Sequence, residues 1–196
     1  MQLELRHLRV FLAVADQGSA NLAGEALFRA QSAVSRSIHK LESELGVKLF
    51  ERRARGMLLT EYGRALQLRA RRVQEEIQCA RSDLAALAPG GTVRNAPVFA
   101  MLTHERRVRA FIALTEQHHM PSVAESLSIT QPAVSMAVRQ MEEGIGIPLF
   151  ERTARGMLPT PAGAALALRL KRALAEIRNA VADIAALRGI TEGTVT

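Results

Sequence analysis

Residues 49–60 read LFERRARGMLLT, and nearly the same stretch, LFERTARGMLPT, returns at residues 149–160. The correspondence extends without a gap between residues 6–87 and 106–187, where about 36 of roughly 82 aligned positions are identical. Similarity of this extent at a fixed spacing of 100 residues indicates a duplicated domain. The 196-residue chain is therefore predicted to form two small related units rather than one large domain.

The composition is basic and poor in cysteine. The formal net charge is +7 and the isoelectric point is near 10.8, with most of the excess in residues 1–98, which favours a polyanionic partner. The single cysteine, Cys79, excludes an intrachain disulfide and any multi-cysteine metal site, and it suits a reducing cytoplasm. No apolar stretch of the sequence is long enough to span a bilayer, and the first residues lack a signal-peptide pattern. We therefore expect no membrane partner, no metal and no cofactor.

Three helices are predicted at the start of each repeat. In the first repeat, apolar spacing places a helix at residues 5–17, which ends near Gly18. Ser19 can cap a second helix over residues 20–28, and a third helix follows over residues 31–44. In the second repeat, His118 and His119 replace the glycine and serine. They are expected to form a polar loop, with the second helix starting near Pro121 and Ser122.

The third helix has one apolar stripe and one polar face. The stripe consists of Val34, Ile38, Leu41 and Leu45. The polar face consists of Ser32, Arg36, His39 and Ser43, flanked by Ser35 and Lys40. Small hydroxyls beside a cation and long polar side chains can approach another surface closely and then form hydrogen bonds to it.

A basic hairpin and a long helix complete the repeat. Residues 49–51 and 57–59 are predicted to be short strands around the basic tip 52–56, and nothing breaks the helix over residues 60–87 except Gly63 near its start. Apolar residues then recur in a heptad pattern. They are Leu66, Ala70, Val73, Ile77, Ala80, Leu84 and Leu87, and in the second repeat Leu166, Leu170, Ala173, Ile177, Ala180, Ile184 and Leu187. A sustained heptad is typical of a helix that pairs with another helix. Cys79 is expected to be a small packing residue beside this seam.

Two pairings of these helices satisfy the heptads. In an antiparallel pairing within one chain Ile77 would face Ile177, and the same register would join Ala70 to Ile184 and Leu84 to Leu170. In a homodimer each helix would pair with its counterpart in a second chain. Both alternatives stay open.

The predicted fold class is mainly α, with two winged helix-turn-helix domains, each followed by a long linker helix for dimerisation. The first domain and its helix span residues 1–88, a connecting loop spans 89–104, and the second domain and its helix span 105–188.

The motifs of both repeats resemble the DNA-binding signature of LysR-type transcriptional regulators. The resemblance lies in QSAVSRSI at residues 31–38, LESELGVKLFER at residues 41–52, and TEYG at residues 60–63. TQPAVS at residues 130–135 and LFER at residues 149–152 are similar in the second copy. The resemblance implies a cytoplasmic, nucleoid-associated bacterial regulator that binds double-stranded DNA at interrupted inverted repeats. The sequence contains no nucleophile elbow and no HExxH motif, and its acidic residues are scattered over helix surfaces, so we expect no enzyme activity. The long helices would mediate dimerisation.

The third helix of each repeat is then expected to enter the major groove as a recognition helix, with the hairpin wing on the backbone or minor groove. The expected DNA contacts of the first repeat are Gln31, Ser32, Ser35, Arg36, His39, Lys40, Arg52, Arg53 and Arg55. Those of the second are Gln131, Pro132, Ser135, Arg139, Gln140, Arg152 and Arg155. The expected dimerisation residues are Leu66, Val73, Ile77, Leu84, Leu87, Leu166, Leu170, Ile177, Ile184 and Leu187.

The sequence departs from the family pattern in two ways. The family usually carries one such unit before a ligand-binding domain, whereas this chain has two units, and residues 189–196 resemble only a stub toward that domain. We therefore expect a fragment of a longer regulator. In addition, Met136 and Glu143 alter the second recognition helix, whereas Thr130 gives it a better cap than Ala30 gives the first. Our hypothesis is that repeat 1 supplies most of the DNA affinity, while repeat 2 reads a different half-site or binds weakly.

Two rival interpretations remain open. In the first, repeat 2 has lost DNA contact and serves as a dimerisation or protein-interaction unit for repeat 1. In the second, the chain is an architectural or antagonist protein that occupies DNA sites without sensing a ligand.

Overall fold

A computed structural model of the chain describes residues 5–53, 56–88 and 105–193. Within these ranges the chain is mainly helical, with two small two-stranded sheets. Each repeat contains three helices, a hairpin and one long helix in the predicted order. The predicted fold class is therefore confirmed.

The two repeats have matching elements. The first contains α1 (Leu5–Gln17), α2 (Ala20–Ala26), α3 (Gln31–Leu45), β1 (Phe50–Arg53), β2 (Gly56–Leu59) and α4 (Glu61–Leu87). The second contains α5 (Glu105–Gln117), α6 (Met120–Ser126), α7 (Gln131–Ile145), β3 (Phe150–Thr153), β4 (Gly156–Pro159) and α8 (Pro161–Gly193). The second helix of the first repeat ends at Ala26 rather than Phe28, because Phe28 adopts a left-handed φ of 53° that no helix can continue.

Each hairpin is an antiparallel pair of strands whose base packs on the helices. Phe50 pairs with Leu59 at the base of the first hairpin, and Phe150 pairs with Pro159 in the second. The rings of Phe11 and Phe50 lie 5.3 Å apart between centroids, so α1 and the first hairpin share one apolar core. The equivalent rings of the second repeat lie 5.5 Å apart.

The turn before the second helix is the same in both repeats, although the sequences differ. Gly18 adopts a φ of 63° and His118 a φ of 58°, and each is followed by an N-cap residue. The Ser19 hydroxyl accepts a hydrogen bond from the Asn21 amide at 3.2 Å, whereas Nδ1 of His119 accepts one from the Ser122 amide at 3.4 Å.

The expected later start of the second helix in repeat 2 was therefore wrong. That helix begins at Met120, the position equivalent to Ala20. A histidine ring nitrogen replaces the serine hydroxyl as the cap acceptor, and a second histidine tolerates the left-handed backbone.

The described chain divides into two compact units that do not coincide with the two repeats. The first unit contains the residues up to Gln74 together with those from Leu174 onward, and the second contains residues 75–173. Each unit therefore combines one winged helix-turn-helix domain with the first half of its own long helix and the last half of the other long helix.

Ion pairs join the two helical segments inside the first unit. Nε of Arg69 donates to Oδ2 of Asp183 at 2.7 Å, and Nη1 donates to Oε2 of Glu176 at 2.9 Å. Arg72, one turn further along α4, lies 3.7 Å from Glu176, so the two segments run antiparallel. The hydrogen bonds from Arg69, first to Asp183 and then to Glu176, raise the pKa of Arg69 above its ordinary value.

The second unit repeats this arrangement with the two repeats exchanged. Arg169 donates to Asp83 at 2.8 Å and to Glu76 at 3.1 Å, and these bonds, Asp83 first, raise its pKa. Within each unit the long helices therefore pair in the antiparallel sense predicted for a single chain. Ala70 and Ile184 are both buried in the first unit, and Leu84 and Leu170 are both buried in the second.

The burial of the seam departs from a strict heptad at its last position, and the expectation that Cys79 is a packing residue was wrong. Leu87 is 46% exposed while Ala88 is 8% exposed, and Leu187 is only half-buried. An α-helix with 3.6 residues per turn drifts relative to a strict heptad, so the buried position after Leu84 falls four residues later rather than three. Cys79 is exposed, since two residues beyond the buried Ile77 a helix has turned to its opposite side.

The last helix continues to Gly193, five residues beyond the predicted limit of repeat 2. The predicted loop at residues 89–104 and the last residues of the stub, 194–196, lie outside the described residues. None of the helices in the described ranges has the length and apolar character needed to cross a membrane.

Candidate nucleic-acid interface

The third helix of the first repeat presents the predicted polar face. The side chains of Gln31, Ser32, Arg36, His39, Lys40 and Ser43 are exposed, and that of Ser35 is half-buried. The apolar stripe on the other side is buried, with Val34 and Leu41 fully covered. The helix is thus fixed to the domain by one side and leaves the other side open to a ligand.

The ends of this helix are set by two residues. Ala30 has an extended backbone and its side chain forms no capping hydrogen bond with the first turn of the helix. Gly46 adopts a left-handed φ of 69° and terminates the helix. The chain then turns directly into the hairpin.

The cations of this face differ in their surroundings. Among the described residues, no carboxylate forms an ion pair with Arg36, whose side chain is exposed. Nζ of Lys40 lies 3.8 Å from Oε1 of Glu44 on the next turn of the same helix. Arg36 is therefore available for an external anion or a base edge, while Lys40 lies beside a weak internal partner.

The equivalent helix α7 of the second repeat has a stronger start and a neutral face. The Thr130 hydroxyl accepts a hydrogen bond from the Ala133 amide at 3.4 Å, and Pro132 stands in the first turn, as expected. Nε of Arg139 donates to Oε1 of Glu143 at 2.7 Å, and both side chains are largely exposed. The one cation of this face is thus neutralised within the helix, in contrast to Arg36 in the first repeat.

The remaining predicted contacts of α7 lie on the same exposed side. Gln131, Pro132 and Ser135 are exposed and Gln140 is half-buried. Met136, at the position of Arg36, is 59% exposed.

A half-buried carboxylate ties the third helix of each repeat to its hairpin. Oε1 of Glu42 accepts a hydrogen bond from the Leu49 amide at 2.9 Å, while its Oε2 lies 2.8 Å from Nζ of Lys48. In the second repeat, Oε1 of Glu142 accepts from the amides of Leu149 at 2.8 Å and Phe150 at 3.2 Å. The base of each hairpin therefore has a fixed position relative to the helix before it.

The far side of each hairpin is anchored to the turn between the first two helices. The Met57 amide donates to the Gly18 carbonyl at 2.8 Å, and the Met157 amide donates to the His118 carbonyl at 2.9 Å. The left-handed backbone at residues 18 and 118 thus aims a carbonyl at the wing. The orientation of the wing follows from these two anchors together.

The wing arginines lie on the exposed strands and tip. Arg52, Arg152 and Arg155 are exposed, and Arg53 is exposed beside Glu51, whose Oε2 lies 2.9 Å from Nη2 of Arg53. Arg55 lies outside the described residues. In the second wing Thr153 replaces Arg53, and its hydroxyl accepts from the Arg155 amide at 3.1 Å, which closes the tip.

One exposed residue near this surface was not predicted. Phe28 lies in the turn that precedes α3, and its side chain is 98% exposed. Its left-handed backbone and its aromatic ring make an unusual combination for a turn residue. Helical periodicity had assigned it to the second helix, so its exposure could not be read from the pattern.

The described residues contain no group of three or more His, Cys, Asp or Glu side chains placed to hold a metal ion.

Sequence comparison relates the chain to known transcriptional regulators. The chain is similar to the HTH-type transcriptional regulator GalR of Pseudomonas putida, with 43% identity over 97% of this chain and 46% of GalR. It is also similar to CrgA of Neisseria meningitidis, with 31% identity over 72% of this chain and 47% of CrgA. The chain spans about half of the length of these relatives, both of which are named transcriptional regulators rather than enzymes.

Solved structures with similar sequences include two complexes with DNA. The CbnR_DBD–DNA complex is 36% identical, with a TM-score of 0.40, and the match covers 45% of this chain and all of the CbnR chain. The BenM_DBD/benA site 1 DNA complex is 35% identical, with a TM-score of 0.41 and the same coverage.

The family comparison covers both repeats. The model of the bacterial regulatory helix-turn-helix proteins of the lysR family matches residues 5–64 and again residues 106–164, which together make up more than half of the chain. These matched segments run from the first helix of each repeat, through the recognition helix and the wing, to the start of the long helix. The chain therefore belongs to the lysR family of bacterial regulatory helix-turn-helix proteins, and it carries the family's DNA-binding domain twice.

Proposed function

We propose that this chain binds double-stranded DNA in a sequence-specific manner, as part of a bacterial transcription regulator that acts in the cytoplasm at the nucleoid. The recognition helices α3 and α7 enter the major groove, and the wings lie on the backbone or in the minor groove. The observation that carries the proposal is the exposed face of α3, where Arg36 has no ion-pair partner among the described residues and small hydroxyls surround it.

The chemistry of the first repeat fits this role. Arg36 can donate two hydrogen bonds to the O6 and N7 atoms of guanine, or bind a phosphate. Gln31, Ser32, Ser35 and His39 can reach base edges or phosphates, because short side chains let the helix approach the groove floor. Lys40, Arg52, Arg53 and Arg55 neutralise backbone phosphates.

The second repeat is proposed to bind DNA more weakly. The ion pair between Arg139 and Glu143 removes the net positive charge of its recognition face and places a carboxylate there. Its attraction for phosphates then rests on the wing, through Arg152 and Arg155, while Gln131, Pro132, Ser135 and Gln140 line the helix face. Repeat 1 accordingly supplies most of the affinity.

The long helices are proposed to make one chain sufficient for two DNA-binding domains. Each unit already contains a paired antiparallel segment from both helices. A homodimer is the alternative, since the equivalent acidic residues of a second chain could accept the same bonds. Sedimentation of the chain at low micromolar concentration tests this: a monomer supports pairing within the chain, and a strict dimer without monomer contradicts it.

Binding measurements with point variants test the DNA proposal. Arg36→Ala should weaken binding to the selected DNA by about 1–3 kcal/mol, and Arg139→Ala should weaken it less. Equal losses would contradict the assignment of most affinity to repeat 1. If the wild-type chain ignores duplex DNA at low ionic strength, the proposed function fails.

A second function is favoured by one observation. Because the Arg139–Glu143 pair neutralises the α7 face, repeat 2 could serve as a dimerisation or protein-interaction unit for repeat 1 without touching DNA. The salt dependence of binding separates the two. Neutralising Arg152 and Arg155 should reduce the slope of log affinity against log salt by about 1 for each lost phosphate contact. An unchanged slope would favour the interaction unit.

A further inference from the structure

The two recognition helices differ most in chemistry at one aligned position. Arg36 in α3 and Met136 in α7 occupy equivalent places, 100 residues apart in the duplicated sequence. Both side chains are exposed, and Met136 is among the most exposed large apolar residues of the described chain, at 59%. An uncovered thioether in the middle of a polar helix face has no role in holding that helix to its domain.

On the α7 face around Met136, no unpaired cation among the described residues takes the place of Arg36. The guanidinium of Arg139, one turn later, is held by Glu143 at 2.7 Å. Gln140 on the same side is half-buried. At the position equivalent to Arg36, α7 therefore presents only the flexible apolar side chain of Met136.

The floor of the major groove offers one apolar group. Thymine carries a C5-methyl group there. Guanine instead presents two hydrogen-bond acceptors, which arginine can satisfy and methionine cannot, because methionine has no donor. An unbranched apolar side chain gains affinity by covering the methyl, and it would leave the acceptors of guanine without donors. The exchange of Arg36 for Met136 thus changes which base the position favours.

We propose that Met136 makes repeat 2 select an A·T pair, through the thymine methyl, at the base-pair position where Arg36 makes repeat 1 select a G·C pair. This inference rests on the proposed DNA binding. It follows that the preferred target of one chain is not palindromic. The two half-sites differ at this position, with one arm read by each repeat.

The test uses the full chain and DNA selected from a random pool. The wild-type chain should select two half-sites that differ at this position. Met136→Arg should shift the second half-site toward G·C, so that the two become alike, and the reciprocal variant Arg36→Met should shift the first toward A·T. Met136→Leu keeps an apolar side chain and should keep the wild-type preference.

A chemical substitution in the DNA isolates the methyl group. Replacing the thymine by deoxyuridine removes only that methyl and should weaken binding of the wild-type chain by about fourfold, the value for one buried methyl group. The same replacement should change the affinity of Met136→Arg by less than twofold. The wild-type half of this comparison does not depend on how a variant folds.

The outcomes separate the two levels of the argument. If the wild-type chain selects no DNA, the proposed function and this inference both fail. If it selects DNA but deoxyuridine has no effect and Met136→Arg does not shift the base preference, the DNA binding stands and the role of Met136 is overturned. A single selected half-site, read by repeat 1 alone, also overturns it.

Discussion

Arg69 and Asp183 are joined by a hydrogen bond of 2.7 Å from Nε to Oδ2, although 114 residues separate them in the sequence. The bond brings the start of the first long helix and the end of the second into one unit. Its counterpart, from Arg169 to Asp83 at 2.8 Å, does the same in the other unit with the repeats exchanged. The two arginines occupy equivalent positions in the two repeats, and so do the two aspartates. The same interaction is therefore formed once in each unit.

Substitution of either arginine should lower the thermal stability of the protein. We expect Arg69→Ala and Arg169→Ala each to lower the thermal midpoint by about 2 to 4 °C, because each removes the donor of two hydrogen bonds to carboxylates. Glu176 and Glu76 would keep only their longer contacts, with Arg72 at 3.7 Å and Arg172 at 3.9 Å. Lysine at either position should recover only part of the loss, since it lacks the planar fork that reaches both acceptors. Thermal unfolding followed by circular dichroism measures the effect.

Arg178 provides the control for this prediction. It lies on α8, the helix of Arg169, and is exposed, so Arg178→Ala should leave the midpoint within about 1 °C of wild type. An equal loss in Arg69→Ala and Arg178→Ala would mean that charge number rather than the ion pairs matters.

The helix caps predict a pair of opposite changes. Thr130→Ala removes the hydroxyl that accepts from the Ala133 amide, and it should lower the free energy of unfolding by about 1 kcal/mol. Ala30→Thr should raise it by a similar amount, because the backbone at Ala30 already has the extended conformation of a capping residue. Chemical denaturation of both variants, compared with wild type, provides the measurement. A loss in Ala30→Thr would show that the hydroxyl cannot reach the first turn.

The left-handed residues Gly18 and His118 predict a second pair of opposite changes in stability. Gly18→Ala should lower the free energy of unfolding by about 1 kcal/mol, because the left-handed strain exceeds the entropy gained by stiffening the unfolded chain. His118→Gly should raise the free energy of unfolding by about 0.5 kcal/mol, because glycine removes the left-handed strain of His118 and this gain exceeds the cost of a more flexible unfolded chain. Gly189→Ala is the control, since no atom lies within 4 Å of the added Cβ and the backbone there is helical, so it should not lose stability.

The sequence predicted those features of the fold that depend on periodicity. The exposed face of α3 and its buried stripe follow from spacing along one helix, because residues three and four apart share a side. The heptads likewise predicted the buried positions from Leu66 to Leu84. Burial departs from the heptad at Leu87, where small angular differences between a straight helix and the heptad have accumulated over several turns.

Features that depend on contacts between distant or chemically unusual residues were not predicted. The bond from the Leu49 amide to Glu42 links a helix to a strand, and no periodicity signals it. The capping role of His119 requires a ring nitrogen in place of a hydroxyl, which composition rules do not anticipate. The ion pair of Arg139 and Glu143 sits at the helical spacing of four, and this spacing could have revealed it.

The carboxylate behind the second wing provides the last prediction. Glu142→Ala removes the acceptor of the Leu149 amide, and since Leu149 is fully buried, that amide would lose its partner away from water. We expect a loss of about 2 kcal/mol in the free energy of unfolding. Glu142→Gln keeps an acceptor oxygen at the same place and should lose less than half as much. Chemical denaturation measures both variants.

The second repeat is the better place for this experiment than the first. Lys48 forms an ion pair with Glu42 at 2.8 Å, so a substitution of Glu42 would mix a lost charge pair with a lost backbone bond. Pro148 occupies the equivalent position in repeat 2, and the two amides of Leu149 and Phe150 are the partners recorded for Glu142 among the described residues. Equal losses in the alanine and glutamine variants would therefore show that the negative charge, and not the acceptor geometry, holds the wing to the recognition helix.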